Sequence, residues 1–208
     1  MTTLPPAPYP SWEISAVPGS DALLQQRCPE LLTNLAGLSD EQFIVSLSDP
    51  RDIHRQLFKD LTPEGFPEYA GNFRGSSYPS LQYRRLGVNP AISALVGPSL
   101  SFSEPDAVER TMSMLASLIG LRFRRPVTDG QSAADAFATV FRLFGRTHPF
   151  LDGNGHVQRV MFQGMVERWG LKLRQPFVHP RPYDIEMGVA LANNDDTAIA
   201  AVLATYVV

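Results

Sequence analysis

An all-α domain with one irregular flap is the fold class that these 208 residues predict. Three observations predict it. Apolar residues recur at three- and four-residue spacing from about Asp21 to Tyr206. Ser, Asp and Pro start signals stand ahead of several of those runs. The one long stretch without a helical period, Pro63 to Pro98, is rich in Gly, Pro and Ser.

Residues 1–20 carry five prolines, a composition that builds no core, and are expected to wrap the domain as an extended arm. Residues 21–208 read as a single domain. Leu23, Leu24, Leu31, Leu32 and Leu35 predict a helix over Asp21–Ala36, broken or kinked at Pro29. A second helix is expected from Pro50, capped by Asp49, to about Leu61. Between 65 and 100 lies the flap, where Tyr78, Leu81, Tyr83 and Leu86 have the β-propensity of a short hairpin. Ser103 and Pro105 then open a helix carrying Val108, Met112, Leu115, Leu118 and Ile119. Its basic end, with Arg122, Arg124 and Arg125, suits the negative pole of the helix dipole. From Ser132 a helix places Phe137, Val140, Phe141 and Phe144 on one face, a core stripe. Another runs from Val157 through Met165 to a Gly170 stop, and two more, Pro182–Ala192 and Asp195–Tyr206, finish the chain.

Composition narrows the function. The net charge of -3 with 19% charged residues offers no basic surface for nucleic acid or an anionic membrane. No run reaches the ~18 apolar residues of a membrane helix, and the N-terminus has no basic-then-apolar leader. A single cysteine, Cys28, forms no internal disulfide and reads as an ordinary helix residue in a reducing compartment. A bacterial cytoplasmic location is expected, with secretion into a host cell left open.

The chemistry is concentrated between two of the helices, in His148, Pro149, Phe150, Leu151, Asp152, Gly153, Asn154, Gly155, His156, Val157, Gln158 and Arg159. Gly153 and Gly155 let the backbone turn sharply at a helix N-terminus, where free amides and the dipole attract an anion. Asp152 beside them can hold Mg2+, which binds through one or two carboxylates and phosphate oxygens. Arg159, one turn on, can fork onto phosphate. His148 titrates near neutrality and can take a proton from an attacking hydroxyl. Singly these residues are ordinary. Together they are the parts that phosphoryl or nucleotidyl transfer requires.

HPFLDGNGHVQR resembles the motif of the Fic family, usually His-Pro-Phe-x-Asp/Glu-Gly-Asn-Gly-Arg-x-x-Arg, at eight of nine specified positions. IHRQLF at 53–58 and EYAGNFRG at 68–75 resemble the family's helix and loop leading into its flap, so the likeness covers about 50–205. The resemblance implies a Fic-type helical bundle with a short β-hairpin flap, and transfer of AMP from ATP to a Tyr, Thr or Ser hydroxyl of a target protein. His148 would be the base and Asp152 would hold Mg2+. Gly153, Asn154, Gly155, His156 and Arg159 would bind the nucleotide, and Phe150 would fix the loop from the core. Ser76, Ser77, Tyr78, Ser80 and Leu81 would form the flap that pairs with the target's backbone. Such an enzyme could act as a toxin or effector.

His156 stands where the family has Arg, and a mostly uncharged ring there implies weaker nucleotide binding or another phosphate pose. Phosphate, UMP or phosphocholine transfer, a degenerate binding module and a de-adenylylating phosphodiesterase therefore stay open. The family's inhibitory Ser/Thr-x-x-x-Glu-Gly/Asn motif is absent, since Asp60 precedes Glu64-Gly65 at that offset. Inhibition is then expected from a small antitoxin-like partner, with an enzyme already slowed by His156 or an inhibitory N-terminal arm as the alternatives.

Overall fold

Helix ends in this computed structural model, which describes residues 9–88, 90–96 and 101–208, follow local capping chemistry. The order is α1 (Ser20–Ala36), α2 (Asp40–Ser48), α3 (Arg51–Phe58), α4 (Pro90–Val96), α5 (Pro105–Phe123), α6 (Gly130–Thr147), α7 (Asn154–Arg168), α8 (Ile185–Ala192) and α9 (Asp196–Ala204). Single 3-10 turns occur at Ile14–Ala16 and Pro67–Tyr69. Asp129 caps α6 through the Ser132 N–H while Ser132 returns the contact, so the helix starts slightly before the expected residue. Gly170, at φ 81, follows the end of α7 as expected.

The all-α class holds, with corrections. α1 runs unbroken through Pro29, whose carbonyl accepts from the Thr33 hydroxyl at 3.0 Å. α2 lies in a segment assigned no element from sequence. Its capping box pairs Ser39 with Gln42, and its Phe43 and Leu47 are buried. α3 spans Arg51–Phe58 with Pro50, not Asp49, as its N-cap and no side-chain cap; Asp49 instead pairs with Arg51, whose backbone N–H it accepts at 3.4 Å.

The expected β-hairpin is absent: among the described residues of the flap no strand forms. The chain coils because the Tyr78 carbonyl takes the N–H groups of Leu81 and Gln82, both at 2.9 Å, and Pro79 has no N–H to give a strand ladder. Residues 90–96 form α4, packed on α8. Residue 89 and residues 97–100 of the flap, like 1–8 of the arm, lie outside the described residues. The rest of the arm does join the core, through buried Trp12 and Ile14, because an indole and a branched chain outweigh the surrounding prolines.

The core is built on α6, which packs against α5, α7, α8 and α9. Ala133, Phe137, Val140, Phe141 and Phe144 are fully buried on it, each Phe contributing roughly 1.5–3 kcal/mol by burial. Val157, Val160, Met161, Phe162 and Met165 bury α7 beside it, so the loop between these helices stands on two fixed pillars. No described helix is long and apolar enough to cross a membrane.

Candidate functional site

The α6–α7 loop sits at one wall of a cavity of about 780 Å³. His148 is the C-cap of α6 in the left-handed region, φ 49, with its N–H on the Phe144 carbonyl at 2.9 Å. Its Nδ1 lies 3.2 Å from the Gly145 carbonyl. A carbonyl only accepts, so Nδ1 carries the proton and Nε2 keeps its lone pair. Phe102 stacks on the ring at 4.0 Å, and burial lowers the His148 pKa to about 4 against a smaller opposing effect of the Gly145 carbonyl. At neutral pH the imidazole is uncharged and able to accept a proton.

Asn154 shapes the loop with its side chain, which accepts from the Phe150 N–H and donates to the Phe150 carbonyl, both at 2.9 Å. Gly153, at φ 75, lies against Phe58, where a Cβ would come within 2.4 Å of the ring. The amides of Asn154 and Gly155 belong to the first turn of α7 and have no acceptor within the helix, and both residues line the cavity. Arg159 lines it too, its Nε anchored on the Val178 carbonyl at 2.8 Å; a Cβ on Gly155 would stand 3.0 Å from Arg159 Nη1.

Asp152 lines the same cavity. Its Oδ1 accepts from Gly153 N–H and its Oδ2 from Ile14 N–H, each at 2.7 Å. Burial raises its pKa, while those two N–H groups lower it and Glu13 raises it further. His54, left unassigned from sequence, fixes the loop from beneath: Gly71 N–H donates to its Nδ1 at 2.9 Å, so its Nε2 donates to the Asp152 carbonyl at 2.9 Å. Its ring stacks on Phe150 at 3.8 Å, and burial drives its pKa down to about 3. Phe150 is buried, as expected.

A family model described as Fic/DOC matches residues 44–166, more than half of the chain. The chain belongs to the Fic/DOC family. Its fold is that of Bartonella effector domains. BepC of Bartonella tribocorum, solved with AMPPNP, aligns at TM-score 0.59 and 17% identity over 89% of this chain and 86% of that one. The Fic domain of Bep8 from Bartonella sp. 1-1C gives 0.64 and 17% over 88% and 82%. A Bartonella quintana Fic domain with bound ADP gives 0.58 and 18% over 89% and 85%. Comparison with the curated proteins yields no match.

Within this Fic/DOC chain the structure brings His148, Asp152, Asn154, Gly155 and Arg159 to one cavity and leaves Gly153 and His156 out of its lining. His156 faces the other way. Its Nε2 lies 3.2 Å from His179 Nδ1, and His179 Nε2 is 2.9 Å from the exposed Asp21 carboxylate. Burial lowers the His156 pKa to about 3, with Arg159, His179 and His54 adding smaller effects. Of the flap residues, Ser77 and Tyr78 are exposed, whereas Ser80 and Leu81 are buried, Ser80 bonded to Glu68. The Ser76 hydroxyl is buried with no hydrogen-bond partner among the described residues. The flap reaches the cavity instead through Gly87, Val88, Ala91 and Ile92.

Sequence reasoning missed Arg146, Arg181 and Tyr183 of the cavity wall, and Arg74 behind His148. Tyr183 is buried under the Arg159 guanidinium at 5.9 Å, which no spacing rule could indicate. Cys28 is a buried thiol pushed up to about 12 by desolvation, hence unreactive.

An Mg2+ ion fits this donor set. No group of three His, Cys, Asp or Glu side chains that could hold a metal gathers among the described residues. Asp152 offers one carboxylate at the cavity, each oxygen keeping a lone pair beyond its N–H bond, which suits Mg2+ shared with phosphate oxygens.

Proposed function

We propose that this protein transfers AMP, or a related phosphate-containing group, from a nucleotide to the hydroxyl of a Tyr, Thr or Ser on a target protein. The single observation that carries the reading is the His148 tautomer: Nδ1 is committed to the Gly145 carbonyl, leaving Nε2 basic at a cavity that also holds a helix N-terminus and Arg159. The cavity volume suits a nucleotide. The family membership and the nucleotide complexes of the Bartonella domains support the same choice.

His148 Nε2 takes the proton of the target hydroxyl. That oxygen attacks the α-phosphorus of ATP as the bond to the bridging oxygen breaks, and pyrophosphate leaves. The Asn154 and Gly155 amides and the Arg159 guanidinium stabilise the oxygens that gain charge. Asp152 would hold Mg2+, which neutralises phosphate charge when bound. Gly87 and Val88 line the cavity from the flap side, where the target segment would approach.

Intact-mass and peptide mass spectrometry after incubation with Mg2+, ATP, UTP, GTP and a lysate tests this. A mass increment that disappears in His148→Ala, with nucleotide binding and melting temperature retained, is the expected result. Equal labelling by His148→Ala removes His148 from the reaction, and no increment with any nucleotide sinks the transferase reading.

A further inference from the structure

Arg74 is among the largest fully buried side chains, 1% exposed, and sits immediately behind the loop. Four of its donor contacts go to backbone carbonyls: Nε to His148 at 2.8 Å, Nη1 to Arg84 at 2.8 Å, and Nη2 to Ser103 and Thr147, both at 3.0 Å. Its own N–H donates to the Pro149 carbonyl at 2.7 Å. Three consecutive carbonyls, from Thr147 to Pro149, are therefore held by one residue.

Two physical facts follow. The Thr147 and His148 carbonyls end α6, where a helix leaves carbonyls unsatisfied and concentrates negative potential, so a guanidinium there acts as a cap supplied by another segment. His148 is a non-glycine residue in the left-handed region, a strained conformation that persists only where its surroundings fix it. Burial lowers the Arg74 pKa to about 10, which leaves it charged at neutral pH. The same fork also grips Arg84 within the flap and Ser103 beside Phe102, whose ring covers His148.

We propose that Arg74 is the positioning residue of the catalytic base: its guanidinium fixes the backbone of His148 and links it mechanically to the flap and to Phe102. This rests on the reading of His148 as the base. Lysine preserves the charge at 74 but loses the planar fork and has only three N–H donors, so it cannot serve all four carbonyls.

The test is Arg74→Lys in the full chain. The expected result is a drop in kcat of tenfold or more, an ATP affinity within twofold of wild type, and loss of the Nδ1-protonated signature of His148 in 15N NMR. A kcat and a His148 spectrum both unchanged would overturn the proposal, as would a fall in ATP affinity equal to the fall in activity. If the wild type transfers nothing, the transferase reading fails, and the His148 spectrum of the variant still decides the role of Arg74. Should Arg74→Lys not fold, wild-type proton exchange replaces it. Arg74 Nε–H and His148 Nδ1–H are expected to exchange at a common rate, and His148 exchanging more than tenfold faster would refute the link.

Discussion

Asn154 closes on both backbone polar groups of Phe150, its Oδ1 taking the N–H and its Nδ2 giving to the carbonyl, each at 2.9 Å. The loop is thus locked by a side chain inside its own sequence, and the first-turn amides of α7 are presented ready-made. Asn154→Asp keeps the acceptor and sets a carboxylate against the Phe150 carbonyl in a buried place. A loss of about 1–3 kcal/mol is expected, read as a melting temperature lower by roughly 2–12 °C for a chain of this size. An unchanged melting curve would show that the bracket does not hold the loop.

Gly153→Ala tests the same turn from the other side. The added methyl would meet Phe58 at 2.4 Å in a backbone conformation, φ 75, that L side chains rarely adopt. A destabilisation of about 1–3 kcal/mol is expected from the combined strain and overpacking. Chemical denaturation with an unshifted midpoint would contradict it.

The histidines set the pH dependence. Burial holds His148 at about 4 and His54 and His156 at about 3, below the ordinary value of 6.5. Between those folded values and 6.5 the unfolded chain binds more protons than the folded one, so stability rises with pH across this window and is level above it. Acidification below 6.5 should therefore lower the melting temperature progressively. With His148 as the proposed base, the acid limb of kcat/KM in the free enzyme should fall near 4 rather than near 6.5. A limb at 6.5 would mean that His148 is solvated like a free imidazole.

His156→Gln should leave ATP affinity within twofold, because the ring points to His179 and not into the cavity. It should cost stability, since it breaks the relay to Asp21 and the edge contact with Phe58. Calorimetric titration showing a tenfold weaker affinity would return His156 to the phosphate site.

For Asp152→Asn, the expected outcome is a lower rate and a higher Mg2+ concentration for half-maximal activity, with Ile14 N–H still bonded to the remaining acceptor. An unaltered Mg2+ titration would remove Asp152 from the metal role.

The sequence disclosed the helices with strong stripes and the loop as a unit, because Phe137, Phe141 and Phe144 repeat at helical spacing and the motif is contiguous. α2 was legible in the Ser39–Gln42 capping box but carries only two buried residues, too few for periodicity to speak. The hairpin reading followed the tyrosines of the flap, and turn chemistry around Pro79 outweighed their propensity. Helical phase alone does not sort His156, which lies about 100° from Gly155, as Asn154 does, yet stays out of the cavity lining. Nothing local marks Arg74 or Tyr183, whose roles come from contacts far along the chain.

Trp12 gives the molecule an optical use. The chain has only two tryptophans, and this one sits edge-on to His54 at 5.8 Å while the other face of the assembly, His54 on Phe150, carries the loop. In a Trp169→Phe background every photon of indole emission would originate within two aromatic contacts of the HPF segment. Quenching by the neighbouring imidazole would then follow the loop in real time, without an added dye.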